Sequence, residues 1–100
     1  MITHVWSMSF TEQATTEQRA AFVAAMSALP SQIHGVASFR SGVDLGLNPG
    51  NYDVSIVAEF ADEQAWRAYI DAPAHVAFVE NHVTPLCASW GAIQMDSPSA

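Results

Sequence analysis

Residues 2–10 alternate strictly in chemistry. Ile2, His4, Trp6, Met8 and Phe10 occupy one parity, and Thr3, Val5, Ser7 and Ser9 the other. Only an extended strand sorts such a sequence onto two faces, so this segment is held to be a strand with one heavy face, and that face carries a histidine. A second alternation runs from Tyr52 to Phe60, with Tyr52, Val54, Ile56, Ala58 and Phe60 on one side and Asp53, Ser55, Val57 and Glu59 on the other. Helices are expected around these strands. Thr15-Thr-Glu-Gln18 resembles a capping box and opens an amphipathic helix whose stripe is Phe22, Val23, Met26 and Leu29, closed by Pro30. Ile33 to Gly35 connect it to a strand over Val36–Val43, and Asp44–Asn51, with Gly46 and Asn48-Pro49-Gly50, is a turn-rich loop. Asp62–Asp71 predict a helix with Trp66, Tyr69 and Ile70 inward. Ala88–Asp96 predict a last strand, and residues 97–100 a flexible tail.

The order is β-α-β-β-α-β with a split second helix. It predicts one α+β domain over residues 1–96, ferredoxin-like, with a four-stranded antiparallel sheet and the helices on one face. The other face is then bare in a monomer and best covered by a second copy, which makes a two-fold homodimer the expected assembly. Composition bears on the same point. Charged residues make up 13% of the chain, against about 25% in ordinary soluble domains. Either surface is buried in an oligomer or apolar side chains line an internal cavity.

Lysine is absent, the only cations are Arg19, Arg40 and Arg67, and the formal net charge is −7. Such a chain cannot neutralise a row of phosphates, so neither nucleic acid nor an anionic membrane is an expected partner. The lone Cys87 follows Pro85-Leu86 in an apolar stretch and reads as a small core residue in a reducing compartment. A signal peptide and a run of transmembrane length are not seen, and the cytoplasm is the expected location.

The break at Ala72-Pro73 decides where a second histidine lies. Pro73 disfavours the α conformation at Ala72 but suits the first turn of a new helix, which is expected to run to about Val83. His75 then sits in that first turn, at the positive end of the helix dipole, which opposes imidazolium and biases the ring toward its neutral, proton-accepting form. His82, two turns on, lies ~10 Å away, too far to share a zinc ion, so no metal site is expected from this pair. His34, beside Gly35, reads as loop surface.

Taken together, His4-Val5-Trp6-Ser7-Met8-Ser9-Phe10, Ser38-Phe39…Gly42, Tyr52-Asp53…Phe60 and Tyr69…Pro73-Ala74-His75-Val-Ala-Phe78 resemble the stress-responsive A/B barrel (Dabb) domain family over roughly residues 2–96. The resemblance implies a dimeric α+β barrel. It also implies chemistry at His4, His75 and Tyr69, the positions matching those used by plant members that act as polyketide cyclases or hydroxynitrile lyases. The chain departs from the cyclising members by placing Met26 where they carry a tyrosine. It also lacks the basic residues common in the family, which speaks against a carboxylate or coenzyme thioester anchored by charge.

Two functions stand side by side. In the first, a small hydrophobic, oxygenated molecule sits in a pocket lined by Trp6, Met8, Phe22, Met26, Ile56 and Phe78. His75 abstracts a proton from a carbon flanked by carbonyls, and His4 or the Tyr69 phenol donates to the developing oxyanion. Such a cyclase or lyase needs no cofactor. In the second, the protein is a stress-associated structural or ligand-storage dimer whose histidines only stabilise the fold.

Overall fold

The alternating segment at residues 2–10 becomes an inner strand of the sheet. In a computed structural model, which describes residues 1–97, β1 (Ile2–Phe10) is paired on both sides. Its neighbours are β3 (Val54–Phe60) and β4 (Cys87–Asp96), and β2 (Ser38–Val43) lies beyond β3, giving the order β2-β3-β1-β4. Every pairing is antiparallel. The heavy face of β1 is the one the helices cover: Met8 and Phe10 are buried there with Val54, Ile56, Ala58 and Phe60 of β3.

The helices form where local chemistry starts and stops them. α1 (Thr16–Ala28) opens on the expected capping box: Gln18 N–H donates to Thr15 Oγ1 at 3.1 Å, and Thr15 N–H donates to Gln18 Oε1 at 2.9 Å. Pro30 turns its end into a single 3-10 turn over Leu29–Ser31. α2 (Glu63–Asp71) is capped by Asp62, whose carboxylate accepts from Ala65 N–H at 2.8 Å. Ala72 is extended, with φ −61° and ψ 137°, as the residue before a proline should be. The chain then re-enters helix as α3 (Pro73–Phe78), widens into a π turn over Val79–Val83 and closes with the single turn α4 (Thr84–Leu86). Phe22 of α1 joins these layers, its ring centroid 5.1 Å from that of Phe10 and 5.2 Å from that of Phe78.

The expected α+β barrel is not what the fold contains. β2 pairs only with β3 and β4 only with β1 among the described residues, so both remain edges and the sheet is open. Four strands spaced as in any sheet leave the edges roughly 14 Å apart, and closure around filled side chains takes about eight strands. The buried face is sealed by helices instead. Tyr52 also departs from the expected alternation. β3 begins only at Val54, because Asp53 is drawn toward β1, its N–H donating to Met8 O at 2.9 Å and its carboxylate accepting from Phe10 N–H at 2.8 Å. Tyr52 crosses to the open face, where a Cβ placed on Gly91 would stand 3.0 Å from its hydroxyl.

That open face carries Val5, Val57, Ile93 and Met95 around a Ser7–Ser55 hydroxyl pair at 3.0 Å, with Val57, Ile93 and Met95 exposed. Of the expected tail, Ser97 N–H donates to Met1 O at 3.0 Å, while residues 98–100 lie outside the described residues. Among the described residues no helix is long and apolar enough to cross a membrane.

Candidate functional site

His4 sits on the helix-facing side of β1, opposite Ala58 of β3 and Gln94 of β4, and is 5% exposed. Two donors converge on its Nδ1. The Trp66 indole N–H, from α2, donates at 3.3 Å, and the Gln94 amide donates at 3.0 Å. Burial pushes the pKa of His4 below its ordinary value, and the neighbouring His75 pushes it the same way.

His75 stands in the first turn of α3, as the proline break requires. Its Nδ1–H donates to the carbonyl of Ile70 in the last turn of α2, at 3.0 Å. A carbonyl only accepts, so the neutral ring carries its proton on Nδ1 and leaves a lone pair on Nε2. Burial lowers this pKa too, against the opposing pull of the Ile70 bond. The expected bias toward a neutral ring is present, and lost solvation is its largest cause. Tyr69 packs between the imidazoles, its ring centroid 6.0 Å from that of His4 and 4.8 Å from that of His75. Its side chain is 1% exposed, and burial pushes the phenol up to about 12, so it is a hydrogen-bond donor at neutral pH.

These three side chains share the wall of one cavity of about 450 Å³ between the sheet, α2, α3 and the π turn. Of the residues expected to hold a ligand, Trp6, Ile56 and Phe78 lie in that wall. Met8, Phe22 and Met26 do not; they are fully buried in the core behind it. Trp66, Trp90, Gln94 and Cys87 also line the wall, and of these Gln94 has no role expected from the sequence. A signal for Gln94 was present in its parity with Trp90 and Ala92 on β4, but the partner that gives it meaning lies 90 residues away in sequence. Cys87 is half-buried at the start of β4, and burial raises the pKa of its thiol, opposite to what a nucleophile needs.

No Asp, Glu, Lys or Arg lines the cavity among the described residues. Nor does any group of three or more His, Cys, Asp or Glu stand close enough to hold a metal ion among them. His34 is exposed, and His82 packs against Phe78 with ring centroids 5.9 Å apart.

An open ferredoxin-like sheet with a two-histidine cavity beneath its helices places the chain in a class of small α+β proteins. The chain belongs to the Stress Responsive A/B Barrel Domain (Dabb) family, whose profile matches residues 2–97. It is similar to a dimeric ferredoxin-like protein from Thermobifida fusca at 34% identity and a TM-score of 0.86, covering 94% of this chain and 88% of that one. A Dabb family protein with a ferredoxin-like fold from Mesorhizobium loti is 25% identical with a TM-score of 0.82, covering 98% of this chain and 97% of that one. The hydroxynitrile lyase of Passiflora edulis shares the fold at a TM-score of 0.84 but only 14% identity, with 99% and 94% of the two chains covered. No curated protein matches the sequence.

Proposed function

We propose that this protein holds a small, hydrophobic, oxygenated molecule in the two-histidine cavity and acts on it as a cofactor-free lyase or cyclase. The observation that carries the reading is the hydrogen bond from His75 Nδ1–H to Ile70 O, which leaves Nε2 of a neutral, partly buried imidazole free to accept a proton. His75 is then the general base. His4 and Tyr69, both in the same wall, donate to the oxygen that gains negative charge. In a cyclisation the base takes a proton from a carbon between two carbonyls, the enolate carbon bonds to a further, distant carbonyl of the same molecule, and the new alkoxide is protonated. In cyanohydrin cleavage it takes the hydroxyl proton as the carbon–cyanide bond breaks, and cyanide leaves to be protonated. The apolar remainder of the wall positions the substrate and excludes water.

The protein works as a homodimer in the cytoplasm. The Thermobifida fusca relative is described as dimeric, and the exposed apolar side chains of the open sheet face are the surface a second copy would cover. The free thiol of Cys87 fits a reducing compartment. The competing role is ligand storage without turnover, favoured by the fact that both imidazoles make bonds internal to the fold. Assay of wild type and His75→Ala against β-polyketone and cyanohydrin substrates separates the two. The enzymatic reading expects turnover by the wild type and a loss of about 10²-fold or more in the variant. Unchanged turnover removes His75 from the mechanism, and binding without turnover in either protein leaves storage.

A further inference from the structure

We propose that Trp66 and Gln94 clamp His4 in the tautomer that carries its proton on Nε2, so that the histidine pair has a fixed direction: His4 donates and His75 accepts. The inference rests on the reading that the cavity handles an oxygenated ligand. It adds two positioning residues and the polarity of that ligand.

An indole N–H and an amide NH₂ offer no lone pair to a partner, so a ring nitrogen facing them has to be an acceptor. Both face Nδ1 of His4, at 3.3 Å from Trp66 and 3.0 Å from Gln94. Trp66 alone settles the tautomer, however the Gln94 amide is turned. A proton on Nδ1 would meet two N–H groups head-on, so imidazolium is disfavoured beyond the effect of burial. At His75 the polarity is reversed, because the group facing its Nδ1 is a carbonyl. The titratable groups around the two rings are the rings themselves, Tyr69 from α2 and Cys87 from β4, and no fully charged side chain shares the wall among the described residues. Nothing nearby competes with the clamp.

The direction selects a ligand. A molecule seated against both rings must offer an acceptor oxygen to His4 and a removable proton to His75, as a neutral carbonyl compound or cyanohydrin does. An ionised carboxylate offers no proton and meets no cation, so the site selects against it. Trp66 and Gln94 act through His4 and are positioning residues.

The test is ¹⁵N NMR of histidine-labelled protein at pH 7 without ligand, the four histidines being assigned by single His→Gln variants. The expected result is His4 protonated on Nε2 only and His75 on Nδ1 only. Gln94→Leu and Trp66→Phe should each shift the Nδ1 resonance of His4 and tighten its proton binding by about three- to tenfold, since a donor to the lone pair is gone. Gln94→Glu places a carboxylate there instead and should tighten proton binding by His4 more than Gln94→Leu does, with the remaining Trp66 N–H opposing a proton on Nδ1. Gln94 is an exposed residue of an edge strand, so its two variants remain informative even if Trp66→Phe does not fold. A proton on Nδ1 of wild-type His4, or an unaltered His4 titration in both Gln94 variants, overturns the clamp. Because no substrate is involved, the expected tautomers in a protein without turnover support the clamp and sink only the enzymatic reading.

Discussion

Phe22→Ala separates a core aromatic from a ligand-contacting one. Phe22 has no exposed surface, and its ring meets those of Phe10 at 5.1 Å, Phe78 at 5.2 Å and Trp6 at 6.5 Å. It therefore ties α1 to β1 and to α3, the element that presents His75. Truncating a buried phenylalanine removes its transfer free energy and leaves a cavity that its neighbours only partly fill, a cost of about 3–5 kcal/mol. Total stability in domains of this size is about 5–15 kcal/mol, so the variant should fold with a midpoint lower by roughly 15–30 °C. Urea unfolding followed by tryptophan fluorescence measures it, with the m-value as the check that the transition is otherwise unaltered. If Phe22 bordered the ligand space, its loss would merely enlarge an existing cavity. A destabilisation below about 1 kcal/mol would refute its placement in the core.

The capping box at the start of α1 predicts that Thr15→Ala costs about 1 kcal/mol by the same unfolding assay, while the neighbouring Thr16→Ala stays within about 0.5 kcal/mol. The buried histidines predict a stability that falls on mild acidification. Both have folded pKa values below the ordinary 6.5, so above pH 6.5 neither state gains protons. Below it the unfolded chain takes up protons that the folded chain resists, and stability is lost until the pH passes the folded pKa values. The slope is at most about 1.4 kcal/mol per pH unit for each ring, and less for half-buried His75, where water screens the charge. Denaturant titrations at pH 7.5 and at intervals below pH 6.5 read it, and a His4→Gln, His75→Gln protein should lose most of the slope. A profile as steep in that double variant as in the wild type would assign the slope to other groups.

What could be read from the chain follows from how local each signal is. The alternation at residues 2–10, the Thr15–Gln18 box and the Ala72-Pro73 break are complete within a few residues, and each appears in the fold where expected. Tyr52 was misplaced because its side depends on Asp53 bonding to β1, a contact made 43 residues away in sequence. The four-stranded sheet with one bare face follows from the element order, whereas the closed barrel came from the family resemblance, and the open sheet corrects it. At the site, His4, His75 and Tyr69 could be singled out as chemistry-bearing types on inward faces. Their roles as acceptor and donors could be expected, but the bonds that fix each tautomer could not, since they run to Trp66, Gln94 and Ile70 O. Gln94 reaches His4 across the sheet register, and Trp66 reaches it from α2. Met8 shares parity with the wall residues His4 and Trp6, and only the depth of packing distinguishes it, whereas the α1 stripe that holds Phe22 and Met26 packs into the core and does not reach the wall.

The central claim is that neutral His75 accepts a proton from a substrate held in this cavity. The most direct measurement is the pH profile of kcat/KM for the wild-type protein with cyanohydrin and β-polyketone substrates. The account predicts activity that rises with pH through an apparent pKa below 6.5, the titration of free His75 lowered by burial, to a plateau at neutral pH. An ascending limb only near pH 10–12, where phenols titrate, would move the base to Tyr69, and no turnover of either substrate class at any pH would contradict the claim outright.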